Sequence, residues 1–158
     1  MSKIKLDFNS EQNILSMLLE SSSISEDQMS KINSNSKEIG KTKLETAIEL
    51  NFTDEAKIQK TLSTNYSLEL ISLEKRVIDP KIKKIIDLRY IQDNLLVPFE
   101  MGEGILKIAI ADASKLGLMK NLKTMTKMEP ELYAATISDI NEFIDRISKL
   151  DTKKISST

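Results

Sequence analysis

Apolar residues recur at helical spacing through the first 65 positions, then gather into shorter, denser runs. Between Ser10 and Glu20, the residues Ile14, Leu15, Leu18 and Leu19 share one face of a helix. The run Ser21-Ser22-Ser23 ends it. Ser25 opens a second helix, and Gln28 three positions on completes a capping-box pattern, in which each side chain satisfies the other's backbone N–H. Met29 and Ile32 form its inward face, and Asn33 to Lys37 reads as a turn or a frayed end. Leu44, Ala47, Ile48 and Leu50 mark a third helix that stops near Asn51. Asp54 is the N-cap of a fourth, carrying Ile58 and Leu62 at i and i+4.

These helices contain an internal echo. Ser25-Glu26 matches Asp54-Glu55 at a separation of 29 residues, and the same offset lays Leu15 on Leu44, Leu19 on Ile48, Glu20 on Glu49 and Met29 on Ile58. Each unit reads helix, turn, capped helix.

From about residue 66 the pattern changes, and all three prolines and three of the four glycines lie beyond it. Leu68, Leu70 and Leu73 suggest a strand. Asp79-Pro80 starts a helix with proline at the first position, where its missing N–H costs nothing, and Ile82, Ile85 and Ile86 give that helix its buried side. Leu95 to Phe99 is a short strand, with Pro98 implying a sheet edge or strand end. Gly102-Glu103-Gly104 supplies a hairpin turn. The run from Ile105 to Ala111 is apolar almost throughout, as for a strand covered on both faces. Asp112 caps a helix carrying Leu116, Leu118, Met119 and Leu122. Leu132 to Ala135 is a further strand, and Ser138 caps a last helix with Ile140, Phe143, Ile144 and Ile147. Asp151 to Thr158 is a polar tail or the start of a linker.

Composition narrows the function. Aromatic residues make up only 4% of the chain, so the core must be aliphatic. Lys+Arg of 23 against Asp+Glu of 24 leaves a net charge of -1, which gives no reason to expect nucleic acid or an anionic membrane as partner. The absence of cysteine removes disulfides and thiolate metal sites, and the absence of histidine removes the commonest general base and zinc ligand. No apolar run approaches the ~20 residues that span a bilayer, so direct membrane insertion is not expected. The start, Met1 to Phe8, has basic residues but no uninterrupted apolar stretch. A cytoplasmic location is expected.

Candidate chemistry is sparse. Gly40-Lys41-Thr42 copies the end of a phosphate-binding loop, but Asn35 stands where the first glycine belongs and no strand precedes it. Lys81, Lys83 and Lys84 read as a solvated basic helix face rather than an acidic-partner site. Asp7, Glu11 and Glu26 suit helix starts, where a carboxylate meets the helix dipole, better than a metal. Met119, Met125 and Met128 suit core packing, with a partner groove as the alternative. Leu15, Leu18 and Leu19 are the candidate partner-binding face, set against an ordinary internal core. No catalytic residue, metal or cofactor is expected, and no enzyme.

Asn13 to Ile147 resembles the N-terminal domain of the type II secretion and type IV pilus assembly ATPases. The resemblance rests on the order of five stretches: Ile24-Ser25-Glu26-Asp27-Gln28, then Leu62-Ser63-Thr64-Asn65-Tyr66-Ser67-Leu68, Ile78-Asp79-Pro80, Val97-Pro98-Phe99, and Leu106 to Asp112, where Ala113 replaces the family's proline. It implies an α+β fold: a four-helix subdomain over residues 1–65 packed on a small α/β subdomain with a mixed sheet over 66–150, followed by a tail or linker at 151–158. It further implies a docking module for a protein partner, either the secretion or pilus platform or the ATPase itself. Members that bind cyclic di-GMP carry two copies of a motif opening Arg-Leu-Gly and closing on Gln. The matching positions here read Asn13-Ile14-Leu15 and Thr42-Lys43-Leu44 at the openings, and Ser36 and Asn65 at the closings. The glycine between the helices is replaced by Ser22 and by Asn51. With both arginines gone, bidentate recognition of phosphate or guanine is lost, and a small-molecule ligand is not expected. The alternative is a receptor with an altered motif using Asn13, Ser36, Thr42, Lys43 and Asn65.

Overall fold

A computed structural model describes residues 6–156 of the chain. Residues 1–5, which hold most of the basic start, and residues 157–158, the last of the expected tail, lie outside the described residues. The elements run α1 (Phe8–Glu20), α2 (Glu26–Ile39), α3 (Lys43–Glu49), α4 (Glu55–Tyr66), β1 (Glu69–Leu70), α5 (Ile82–Ile85), α6 (Leu88–Asn94), β2 (Val97–Gly102), β3 (Ile105–Ile110), a 3-10 helix (Ala113–Leu118), α7 (Met119–Thr126), β4 (Glu129–Ala134) and α8 (Ile137–Ser156).

The four expected N-terminal helices form, and their caps decide where. Asp7 caps α1, Ser25 with Gln28 closes a full capping box on α2, Thr42 with Glu45 does the same on α3, and Asp54 caps α4. The stretch from Asn33 to Lys37 is neither turn nor frayed end but the second half of α2. Ile32 and Ser36, one turn apart, are both buried and hold it down, and Gly40 stops it at φ 68°.

The second half is an α/β layer built on a mixed four-stranded sheet of order β1-β4-β3-β2. β3 lies parallel to β4 and antiparallel to β2, and β4 is parallel to β1. The β2–β3 hairpin turns on Glu103 and Gly104, both at positive φ (54° and 78°), the backbone that matches the twist of the strands. Pro98 does sit on an edge strand, beside a register shift between Pro98 and Glu100. The fold is therefore α+β, as expected.

Several expected boundaries move. The strand through Leu68, Leu70 and Leu73 contracts to Glu69–Leu70. Leu73 instead anchors an irregular loop: its N–H donates to Asp139 Oδ2 at 3.0 Å and its carbonyl accepts from Arg146 Nη2 at 2.9 Å. The helix opened by Asp79-Pro80 is only the single turn of α5, and α6, capped by Asp87, was not foreseen. Asp112 caps a 3-10 turn that leads into α7. The last helix is capped by Thr136, whose Oγ1 accepts the Asp139 N–H at 3.1 Å. Ser138 donates to Glu55 instead, from its N–H and its hydroxyl. α8 also continues to Ser156, into the stretch expected to be tail.

One aliphatic core runs through both halves, from Ile14 and Leu18 on α1 through Leu62, Ile108 and Phe143, all fully buried. Gln59 of α4 stitches the layers: its Nε2 donates to the carbonyls of Ile71 (3.1 Å) and Ala134 (2.9 Å).

Candidate functional site

The 29-residue echo is a structural repeat. In the α1–α2 turn, Ser21, Ser22 and Ser23 donate their N–H groups to the carbonyls of Met17, Leu19 and Leu18. In the α3–α4 turn, Leu50, Asn51 and Phe52 donate to Thr46, Ile48 and Ala47, the same three bonds at the same offset. Ser22 (φ 60°) and Asn51 (φ 63°) occupy the left-handed position at which a β-carbon is strained. Glycine is the natural residue there, and neither turn has it.

Three of the positions that would open and close a ligand motif are engaged within the chain's own structure. Asn13 Oδ1 accepts the Ala113 N–H at 3.0 Å, joining α1 to the start of the 3-10 helix. Thr42 spends its hydroxyl on the Glu45 N–H at 3.1 Å, as the cap of α3. Ser36 is buried and its Oγ donates to the Asn33 carbonyl at 3.3 Å. Lys43 is half-buried and Asn65 exposed on the last turn of α4. Gly40-Lys41-Thr42 is helix punctuation: Gly40 ends α2, Thr42 starts α3, and Lys41 pairs with Glu49. That ion pair raises the Lys41 pKa, chiefly through the hydrogen bond to Glu49.

Around Asn13 lies a polar seam between the halves. Ser10, fully buried, faces the Ser114 hydroxyl at 3.4 Å. Lys115, 5% exposed, reaches Asp7 Oδ2 at 3.4 Å. Burial works against ionisation of Asp7, but the Ser10 N–H and the Lys115 charge outweigh it and hold the carboxyl below its ordinary range. Asp112, almost wholly buried, accepts from the Ser114 N–H at 2.9 Å. Asp112 was legible as a cap, but nothing in the sequence marked Lys115 or the partner of Asn13.

The remaining candidates separate. Leu15 and Leu18 are buried in the core and Leu19 is half-buried against it, so these three do not present an open partner face. α1 packs against the 3-10 helix, α4 and α3. Asp7 caps α1, while Glu11 and Glu26 sit in the first turns of α1 and α2. No group of three metal-ligating side chains occurs among the described residues. Lys81, just before α5, and Lys84 on it are exposed, and Lys83 is half-buried. Met119 and Met128 pack on the core, whereas Met125 is exposed.

A charged ladder crosses one face of the sheet, and sequence spacing did not reveal it. Arg76 lies 4.9 Å from the Phe99 ring centroid and 3.4 Å from Glu100, which also pairs with Lys107 at 3.1 Å. Lys107 sits over the Tyr133 ring, and the Tyr133 hydroxyl donates to Glu131. Lys107 thereby lowers the Glu100 pKa, and the bond to Glu131 raises that of Tyr133.

The fold is that of the N-terminal domains of secretion and pilus-assembly ATPases. A structure of MshE with cdg superposes with a TM-score of 0.62 at 21% identity, covering 85% of this chain and 97% of that one. The N-terminal domain of XpsE matches with a TM-score of 0.59 at 19% identity, covering 90% and 98%. The MshEN domain model matches residues 66–153, more than half of the chain, which therefore belongs to the MshEN domain family. As a member of that family it is a non-catalytic domain. No curated protein matches it. Among the described residues no helix is long and apolar enough to cross a membrane.

Proposed function

We propose that the chain is a cytoplasmic docking or regulatory module that binds a protein partner, either the platform of a secretion or pilus system or its ATPase. One observation carries this reading. The apolar framework of both helical hairpins is intact, while three of the five polar positions that would hold a ligand, Asn13, Ser36 and Thr42, are hydrogen-bonded within the chain itself. A side chain already committed to Ala113 N or Glu45 N must break that bond before it can serve a ligand, at a cost of about 1 kcal/mol each. The test is direct binding between the purified chain and the cytoplasmic portions of the platform proteins and the ATPase core. Specific complex formation with one of them is the expected result; none with any would overturn the reading.

A second reading is favoured by the structure of MshE with cdg: cyclic di-GMP binding through an altered motif. Calorimetry at tens of micromolar chain, where ~8 kcal/mol of binding gives measurable heat, separates the two. Heat with cyclic di-GMP that Lys43→Ala abolishes would favour the second reading.

A further inference from the structure

β4 pairs with β3 along its whole length, from Glu129 to Ala134, but β1 covers only Tyr133 and Ala134 on its other side. The chain leaves the sheet at Leu68, whose N–H turns back to the Ser63 carbonyl. The first half of β4 therefore has an unfinished edge. Backbone alternation shows which groups face it. Glu129 and Ala135 donate their N–H groups toward the β3 side, to Gly104 and Ile110, while the Ala134 carbonyl accepts from Ile71 on the opposite side. The Leu132 N–H and the Pro130 carbonyl must then point where β1 would have continued, and no strand among the described residues pairs with them.

An open groove of about 530 Å³ occupies that place, lined by Ser63, Ser67, Glu69, Glu131 and Tyr133 among others. Glu131 also lines a second groove, of about 430 Å³, with Glu100, Glu103 and Lys107 across the sheet face. The linings of the two grooves together hold four glutamates and one lysine. Since Glu100 is paired with Lys107 and Arg76, the acidity rests on Glu69, Glu103 and Glu131, although the whole chain carries a net charge of only -1. The acidity is local.

We propose that this notch accepts a short, extended, basic segment of a partner protein, which adds to the sheet beside β4. Strand addition supplies main-chain hydrogen bonds to the Leu132 N–H and the Pro130 carbonyl, while alternate lysine or arginine side chains meet Glu69 and Glu131. Pro130, lacking an N–H, confines the added strand to a few residues. The proposal rests on the protein-docking reading and assigns it a surface and a partner chemistry.

The test is amide NMR and hydrogen exchange of the full chain with a short synthetic peptide alternating lysine and threonine. A glutamate–threonine peptide of the same length is the control. The basic peptide is expected to shift the Glu69, Glu131 and Leu132 amides and to slow exchange at Leu132, the effect fading as salt screens the charges. Glu69→Lys, at an exposed position, should weaken binding about tenfold, equivalent to ~1.4 kcal/mol. Glu131→Gln, which keeps an acceptor for Tyr133, should weaken it less. Equal response to both peptides, shifts confined to other surfaces, or an unaffected Glu69→Lys chain would each overturn the proposal. The two readings fail separately. If the wild-type chain binds a platform protein and Glu69→Lys binds it equally, the notch is wrong and the docking function stands. If the notch takes the peptide and no platform protein or ATPase binds, the docking function is wrong.

Discussion

Asn13 and Ala113 are 100 residues apart in sequence and are joined by a single 3.0 Å hydrogen bond from the Ala113 N–H to the Asn13 side chain. Ala113 begins the 3-10 helix, whose first N–H groups have no partner within the helix itself. Asn13→Ala should leave that donor unsatisfied at a half-buried site and cost about 1–3 kcal/mol. Urea unfolding checks the magnitude, and faster amide exchange at Ala113 checks the cause. Unchanged exchange there would show that the seam does not depend on this bond.

The two helix–helix turns make an opposite prediction. Ser22 and Asn51 both hold left-handed backbone, which costs a residue with a β-carbon about 1 kcal/mol or more. Ser22→Gly should therefore stabilise the chain by up to ~1 kcal/mol, and Asn51→Gly by less, because asparagine tolerates this region better. Thermal unfolding of each variant would measure the gain. A loss in both would mean that the entropy of the more flexible unfolded chain outweighs the relief of strain.

Leu18 discriminates core from partner surface. It is fully buried, so Leu18→Ala should cost about 2–5 kcal/mol from lost apolar contact and the cavity left behind. A change confined to partner binding, with stability intact, would return this leucine to the surface role suggested by its sequence position.

Asp7 sets a pH dependence. Its carboxyl titrates below the ordinary value of 3.8 in the folded chain. A lowered folded pKa contributes stability that is complete well above 3.8 and disappears as pH falls through the folded value. Acid titration of wild type and Asp7→Asn should therefore converge at low pH and diverge toward neutrality, with wild type the more stable. Parallel curves throughout would sink this account.

What the sequence revealed and what it hid follow from how local the signals are. Caps act over three residues, so Ser25, Asp54 and Asp112 were readable as helix starts, and the 29-residue echo pointed to turns whose hydrogen bonds repeat. Extent was harder. The polar run from Asn33 to Lys37 breaks no helix, because burial of Ile32 and Ser36 decides its state and burial is a tertiary property. The apolar Leu73 was drawn out of its expected strand by Asp139 and Arg146, each more than 60 residues away. Of the site positions, the residue types were plain, but the bond that Asn13 accepts from Ala113 could not be foreseen, because its two ends are 100 residues apart. The sheet-face ladder of Arg76, Glu100, Lys107 and Tyr133 is assembled from β2, β3, β4 and a loop, and no linear spacing announces it.

A ladder with a missing rung cannot be climbed indefinitely. Pro130 interrupts the amide rail on the half of β4 that β1 leaves bare. Identical copies of the chain crowded together thus have no continuous template along which to zip, and fibre growth through that side is cut short. The bare half-edge can stay open at high concentration without becoming a seed for aggregation.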